Sequence, residues 1–153
     1  MNIREANKHD LPYFIKLIKQ LASADHIMHY NYEELDETHL NMIFSTIIAG
    51  RGAMLVVEND KTKELHGMSC GIINPHIFAP EISIMSQLVL WVDEGFRKIA
   101  GFKLMKAYEK KTDEYMEEGR IRYGVLIASK PLFDMDYTKF GYSMDEKVWI
   151  RGE

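Results

Sequence analysis

Cysteine, net charge and long apolar runs are all scarce in this chain, and each scarcity excludes something. Cys70 is the single cysteine in 153 residues, so no intramolecular disulfide can form and the chain is expected to work in a reducing, cytoplasmic setting. Nineteen Lys+Arg against 23 Asp+Glu leave a formal charge of −4, which denies it the basic surface that nucleic-acid phosphates demand. Charged residues interrupt every apolar stretch before it reaches bilayer length, so no membrane partner is expected. Arg4, Glu5, Lys8 and Asp10 break up the first residues in the same way, which argues against a secretory leader. What is present, 46% hydrophobic and 11% aromatic residues, suits one globular core and is too little for two, so residues 1–153 are read as a single domain.

Order along the chain supplies the elements. Residues 2–6 alternate like a strand, and Asp10 followed by Pro12 reads as the start of a helix carrying Leu11, Phe14, Ile15, Ile18 and Leu21 as its apolar stripe. Residues 22–36 lack a period. A second helix places Leu40, Ile43, Phe44, Ile47 and Ile48 on one face and ends near Gly50. The period then changes to that of strands over residues 53–57 and 65–73, joined by a polar turn into a hairpin. Pro75 and Pro80 bracket a connection. Residues 82–92 read as a central strand buried on both faces, running directly into a helix that aligns Leu104, Met105, Tyr108, Thr112, Tyr115 and Met116. A strand over 122–128, a short helix from Ser129 to Gly141 and a strand over 144–150 complete a three-layer α/β domain with a mixed sheet.

Three passages resemble the GNAT superfamily of acetyl-CoA-dependent N-acetyltransferases. Ile3-Arg4-Glu5-Ala6-Asn7-Lys8-His9-Asp10-Leu11-Pro12 is similar to the family's opening; Leu90-Trp91-Val92-Asp93-Glu94-Gly95-Phe96-Arg97, resuming at Gly101-Phe102, to its central strand, phosphate loop and long helix; and Tyr137-Thr138-Lys139-Phe140-Gly141-Tyr142 to its motif near the C-terminus. The wording of the second passage is most similar to acetyltransferase-like proteins of tailed bacteriophages. The resemblance implies a mixed, mostly antiparallel central sheet flanked by helices, acetyl-CoA as co-substrate and an amine acceptor, small molecule or protein.

It also implies roles. Leu90 and Val92 would pair their backbone with the pantetheine arm as an added strand, while Arg97, Lys98, Ala100, Gly101 and Phe102 would border the pyrophosphate at a helix N-terminus. The loop departs from the family's "[RQ]-x-x-G-x-[GA]" by offering Ala100 and Phe102 when Arg97 is the anchor, so donor binding is the step the departure bears on. Tyr137 stands where the family's thiolate-protonating tyrosine lies, and a phenol with an ordinary pKa near 10 carries its proton at neutral pH. A backbone N–H near Val92 would stabilise the oxyanion. For the base, Gln87 occupies the expected position but an amide removes no proton, which leaves Glu81 and His76, or an acceptor amine that is already neutral. His26, His29, Glu33 and Glu34 have ligand-type side chains without firm helical spacing or cysteine, so no metal is expected there. In the resembled fold that segment borders the acceptor pocket, and its acids would favour a cationic amine.

The altered loop and Gln87 equally suit a non-catalytic member of the same fold, acting as a binding or inhibitor module. Residues 144–150 can pair across a homodimer.

Overall fold

A computed structural model of the chain describes residues 1–23, 32–126 and 136–144. The expected start of the last helix at residues 129–135, the closing strand beyond Met144, and His26, His29 and Tyr30 lie outside the described residues. Among the described residues no helix is long and apolar enough to cross a membrane.

Strand β1, Asn2–Glu5, leads through a 3₁₀ turn at Lys8–Asp10 into helix α1, Leu11–Ser23. Asp10 does not cap this run alone, because Asn7 is the N-cap: its side chain accepts from the His9 N–H at 2.9 Å, and Asp10 reaches back to the Asn7 N–H at 2.8 Å. Arg4 holds the same carboxylate with two parallel bonds of 2.8 and 3.0 Å and donates through Nε to Glu58 at 2.7 Å. Burial alone would raise the Asp10 carboxyl, yet Arg4 and the Asn7 N–H hold it below the usual carboxylate range. Along α1 the core stripe is Phe14, Leu17, Ile18 and Leu21. Leu17 replaces the expected Ile15, since only one of two residues half a turn apart can face the sheet; Ile15 lines an open groove with Leu11 and Pro12.

Asp36 caps helix α2, Glu37–Thr46, by accepting from the His39 N–H, and a wide turn through Ile47–Arg51 ends it where Gly50 takes φ 109°, a left-handed value open to glycine. Strand β2, Gly52–Glu58, is buried on both faces. Met54 and Val56 join α1 and α2 in one core, with Phe14 and Phe44 edge to face at 5.6 Å; Ala53, Leu55 and Val57 face the other way. Gly52 passes so close to β3 that a Cβ there would lie 2.0 Å from the Gly71 carbonyl oxygen.

β3, Leu65–His76, and β4, Ala79–Val92, form a hairpin longer than expected, with only Ile77 and Phe78 between the strands. Pro75 and Pro80 therefore lie inside strands. They are tolerated because the hairpin tip outruns its neighbours: β2 pairs no further than Ile72, and β5, Tyr123–Val125, pairs only with 84–86 of β4. The sheet order is β1-β2-β3-β4-β5, antiparallel except for the last pair. Helix α3, Phe102–Glu117, covers the second face with Leu104, Met105, Tyr108 and Tyr115, and Tyr115 anchors it by donating to the Gly52 carbonyl at 2.9 Å. Each such buried Leu or Met side chain contributes about 1.5–3 kcal/mol. The result is the expected mixed, mostly antiparallel sheet between two helical layers.

Candidate active site

Strand β4 loses its regularity at Leu88. The ladder pairs Cys70 with Val89 and then Gly71 with Gln87, so Leu88 is an extra residue, a β-bulge that bends the strand. The described pairing of β4 with β5 ends at Ser86, just before the bulge, and among the described residues β4 has no second neighbour from there to Val92. The strand expected to be buried on both faces is instead half open: Leu88 is 47% exposed and Leu90 and Trp91 are half-buried.

The direction of the open backbone follows from the ladder. Beyond the last pair the Asp93 N–H donates to the His66 carbonyl at 2.8 Å, and bonded and unbonded positions alternate along antiparallel strands. Leu90 and Val92 accordingly turn their N–H and C=O groups away from β3, toward the gap. Arg97 agrees with this aim, since its Nε donates to the Val92 carbonyl at 3.0 Å.

The turn out of β4 is built as a rigid corner. Asp93 accepts from Trp91 Nε1 and faces His66 Nδ1, each at 3.1 Å. The Arg97 guanidinium lies 5.0 Å from the centre of the Trp91 ring, and His66 stacks at 4.3 Å on Phe96. From Glu94 onward the chain is already helical, first as a 3₁₀ turn, then as a π turn over Arg97–Gly101. The expected glycine loop is thus a helical turn: Gly101 has φ −60°, and it and Ala100 are buried against the sheet because both are small enough to pack there. Lys98 is exposed beside them. Phe102, 49% exposed, meets Phe140 at 5.4 Å between ring centres.

Tyr137 opens a 3₁₀ turn, Tyr137–Phe140, capped by Asp136 and stopped by Gly141 at φ 83°. It packs on the same core as Leu90 and Val92, and burial pushes its phenol above the ordinary range. Gln87 is buried at the bulge, its amide donating to Ser69 Oγ at 3.3 Å. Glu81 is exposed at the opposite end of β4, in the irregular stretch of the hairpin tip, where His76 accepts from the Phe78 N–H at 3.2 Å. The structure brings Leu90, Val92, Phe102 and Tyr137 to the α3 side of the sheet, sets Arg97 at the end of β4 on the Trp91 ring, and leaves Glu81 apart. Glu33 and Glu34 occupy a short 3₁₀ turn, and among the described residues no three His, Cys, Asp or Glu are grouped to hold a metal ion.

Sequence reading missed the Asp93 corner, whose partner His66 is 27 residues away, and the Tyr142–Glu109 contact, 33 residues apart. Only the position of Asp93 at the end of a strand hinted at a corner.

This geometry has known counterparts. The chain has the GNAT acetyltransferase fold. It is similar to a predicted acetyltransferase of Clostridium acetobutylicum solved with acetyl-CoA, at TM-score 0.70 and 17% identity over 99% of this chain and 95% of that one. Glucosamine-6-phosphate N-acetyltransferase of Arabidopsis thaliana follows at 0.69 and 18%, over 99% and 97%. An aminoglycoside acetyltransferase from an uncultured soil sample aligns at 0.67 and 21%, over 99% and 94%. No sequence-family model and no curated protein matches the chain. The likeness therefore lies in the fold.

Proposed function

We propose that this protein is a GNAT-type N-acetyltransferase that moves an acetyl group from acetyl-CoA to a primary amine by direct attack. The observation that carries the reading is the backbone of Leu90 and Val92, which turns away from β3 where β4 has no second neighbour among the described residues, with the Val92 carbonyl held by Arg97. An amide-rich arm can add to such an edge as a further strand, and the Clostridium acetobutylicum protein solved with acetyl-CoA has this fold. Arg97, fixed on Trp91 and Val92, and the exposed Lys98 supply positive charge at the helical turn for a pyrophosphate.

In the transfer the acceptor nitrogen attacks the thioester carbonyl, the carbon–sulfur bond breaks, and the departing thiolate takes a proton. Tyr137 is the donor of that proton: burial keeps its phenol protonated, and among the described residues no partner occupies its hydroxyl. Gln87 orients a group at the bulge without removing a proton, and Glu81 is distant, so the acceptor enters as the neutral amine. Such an enzyme favours amines of low pKa, for instance an α-amino group near 7.7–8.0.

A second reading, a non-catalytic binding or inhibitor module, is favoured by one observation: Ala100 and Gly101 are buried in a helical turn, with no glycine loop open to phosphates. Thermal unfolding with acetyl-CoA, followed by thiol release over a broad amine panel, separates the two. Donor at a hundredfold its Kd should add about 2.7 kcal/mol of stability. Stabilisation with thiol release supports the enzyme, stabilisation without it the module, and no shift at millimolar donor removes acetyl-CoA from both.

A further inference from the structure

Residues 136–144 carry Tyr137, and they are fastened to α3 at two points. Tyr142 donates its hydroxyl to Glu109 Oε1 at 2.6 Å, and Phe140 meets Phe102 at the start of the helix. Between these fastenings the turn is closed: Gly141 N–H donates to the Thr138 carbonyl at 3.1 Å and Tyr142 N–H to the Tyr137 carbonyl at 3.3 Å. Tyr142 is thus tied directly to the backbone of Tyr137. Gly124 of β5 lies against the same place: a Cβ there would crowd Thr112 at 3.0 Å and touch the Tyr142 hydroxyl at an ordinary 3.5 Å. The Tyr137 hydroxyl itself has no partner among the described residues, so its aim depends on where this segment is held.

We propose that Glu109 and Tyr142 are positioning residues: their hydrogen bond holds residues 136–144 on α3 and thereby aims the Tyr137 hydroxyl. The role in transfer rests on the reading of Tyr137 as the acid, whereas the docking is a property of the chain itself.

The charges around Glu109 make the docking pH-dependent. Burial pushes its carboxyl up to about 7, the Tyr142 hydrogen bond opposes that, and Asp113 one turn along α3 adds to it. Tyr108 also faces the pair, and β5 contributes only the half-exposed Tyr123; among the described residues no cation lies within ion-pair distance of Glu109. With Tyr142 seated on it at 2.6 Å the Glu109 carboxyl is shut off from water on that side, and burial outweighs the hydrogen bond in its effect, so ionising Glu109 costs more with the segment docked than with it released. Docking is therefore firmest with Glu109 protonated, and it weakens as pH rises from the ordinary carboxylate range through about 7. The protonated carboxyl retains an oxygen to accept from Tyr142.

Amide hydrogen exchange of residues 136–144, corrected for intrinsic rates, tests the docking. Between about pH 5 and about pH 8 wild-type protection should fall at least several-fold. Glu109→Gln should keep the protection and lose its pH dependence, while Tyr142→Phe should lower protection several-fold at every pH. Flat wild-type protection, or Tyr142→Phe indistinguishable from wild type, overturns the docking proposal; Glu109→Gln decides the pH dependence should Tyr142→Phe fail to fold. Turnover is the second readout. Tyr142→Phe should lower kcat about tenfold with the donor KM within about twofold. Altered exchange with unchanged kcat refutes the positioning role. A wild-type protein that docks its segment but turns over no amine refutes the acid role of Tyr137 and leaves the docking standing.

Discussion

At the β1 end of the sheet four polar groups close on one another, whereas on the α3 side of β4 two tyrosine hydroxyls have no partner among the described residues. Arg4, Asp10, Glu58 and the Asn7 N–H satisfy one another within 3.0 Å, joining β1, β2 and the start of α1. Across the sheet the Val92 carbonyl is taken by Arg97, but Leu90 turns its backbone groups away from β3, the Tyr137 hydroxyl has no partner among the described residues, and the buried Tyr108 hydroxyl has none either. A matched group contributes to stability and can bind nothing further; an open one weakens the fold and can receive a ligand. The contrast says that one side of the molecule keeps the chain folded while the other is free to act.

Substitutions on either side should break this contrast cleanly. The largest effect expected is on rate: Tyr137→Phe should slow acetyl transfer by about a hundredfold or more, with Tm and donor affinity nearly unchanged. An undiminished rate takes Tyr137 out of the mechanism. Arg4→Ala should do the reverse, lowering unfolding free energy by about 2–3 kcal/mol in denaturant titration while sparing donor affinity. The same network sets a pH sense opposite to that of Glu109. Asp10 and Glu58 are held below their ordinary range, so their contribution is present at neutral pH and disappears as acid carries the solution down through their lowered values. Acid should therefore loosen the β1 end while residues 136–144 stay docked, which exchange measurements near pH 3 can resolve by segment.

A smaller effect sharpens the boundary between the two sides. A Cβ on Gly71 would fall 2.0 Å from the Tyr108 hydroxyl, so Gly71→Ala should cost about 1–3 kcal/mol, and adding Tyr108→Phe should recover most of it by removing an oxygen that has no partner. Additive losses in the double variant would show that the tyrosine is not the obstacle. Lys98→Ala should be the mildest, within about 0.5 kcal/mol in stability, with a loss of donor affinity confined to low salt. A salt-independent loss would mean that Lys98 acts by packing.

Patterns carried by near neighbours in the chain were legible in the sequence. The α3 stripe of Leu104, Met105, Tyr108, Thr112 and Tyr115 is buried as its spacing predicts, while Met116, expected with them, is exposed in the last turn of the helix; residues 53–57 send side chains alternately to the two cores. Periodicity could not choose Leu17 over Ile15, because both fit a three- and four-residue step and the sheet decides which is covered. Pro75 and Pro80 read as breakers because nothing in the sequence says that the hairpin tip lacks neighbours. At the candidate site, Tyr137 and the outward pair Leu90 and Val92 could be named in advance, but the helical turn that buries Ala100 and Gly101 could not, since its cause is tight packing against the sheet. Contacts such as His66 with Asp93 join residues whose nearness only the folded sheet creates.

The single extra residue at Leu88 has a consequence for how such a bend can arise. Gln87 and Leu90 are three positions apart, an odd spacing that would put them on opposite faces of a regular strand, yet both lie on the α3 side, because their partners Gly71 and Ser69 are two apart on β3. Removing Leu88 would restore plain alternation while leaving every partner of β4 on β3 unchanged. The bend in β4 is in that sense one residue deep in evolutionary terms: an insertion can create the bulge, and a deletion can erase it, without changing a partner on β3.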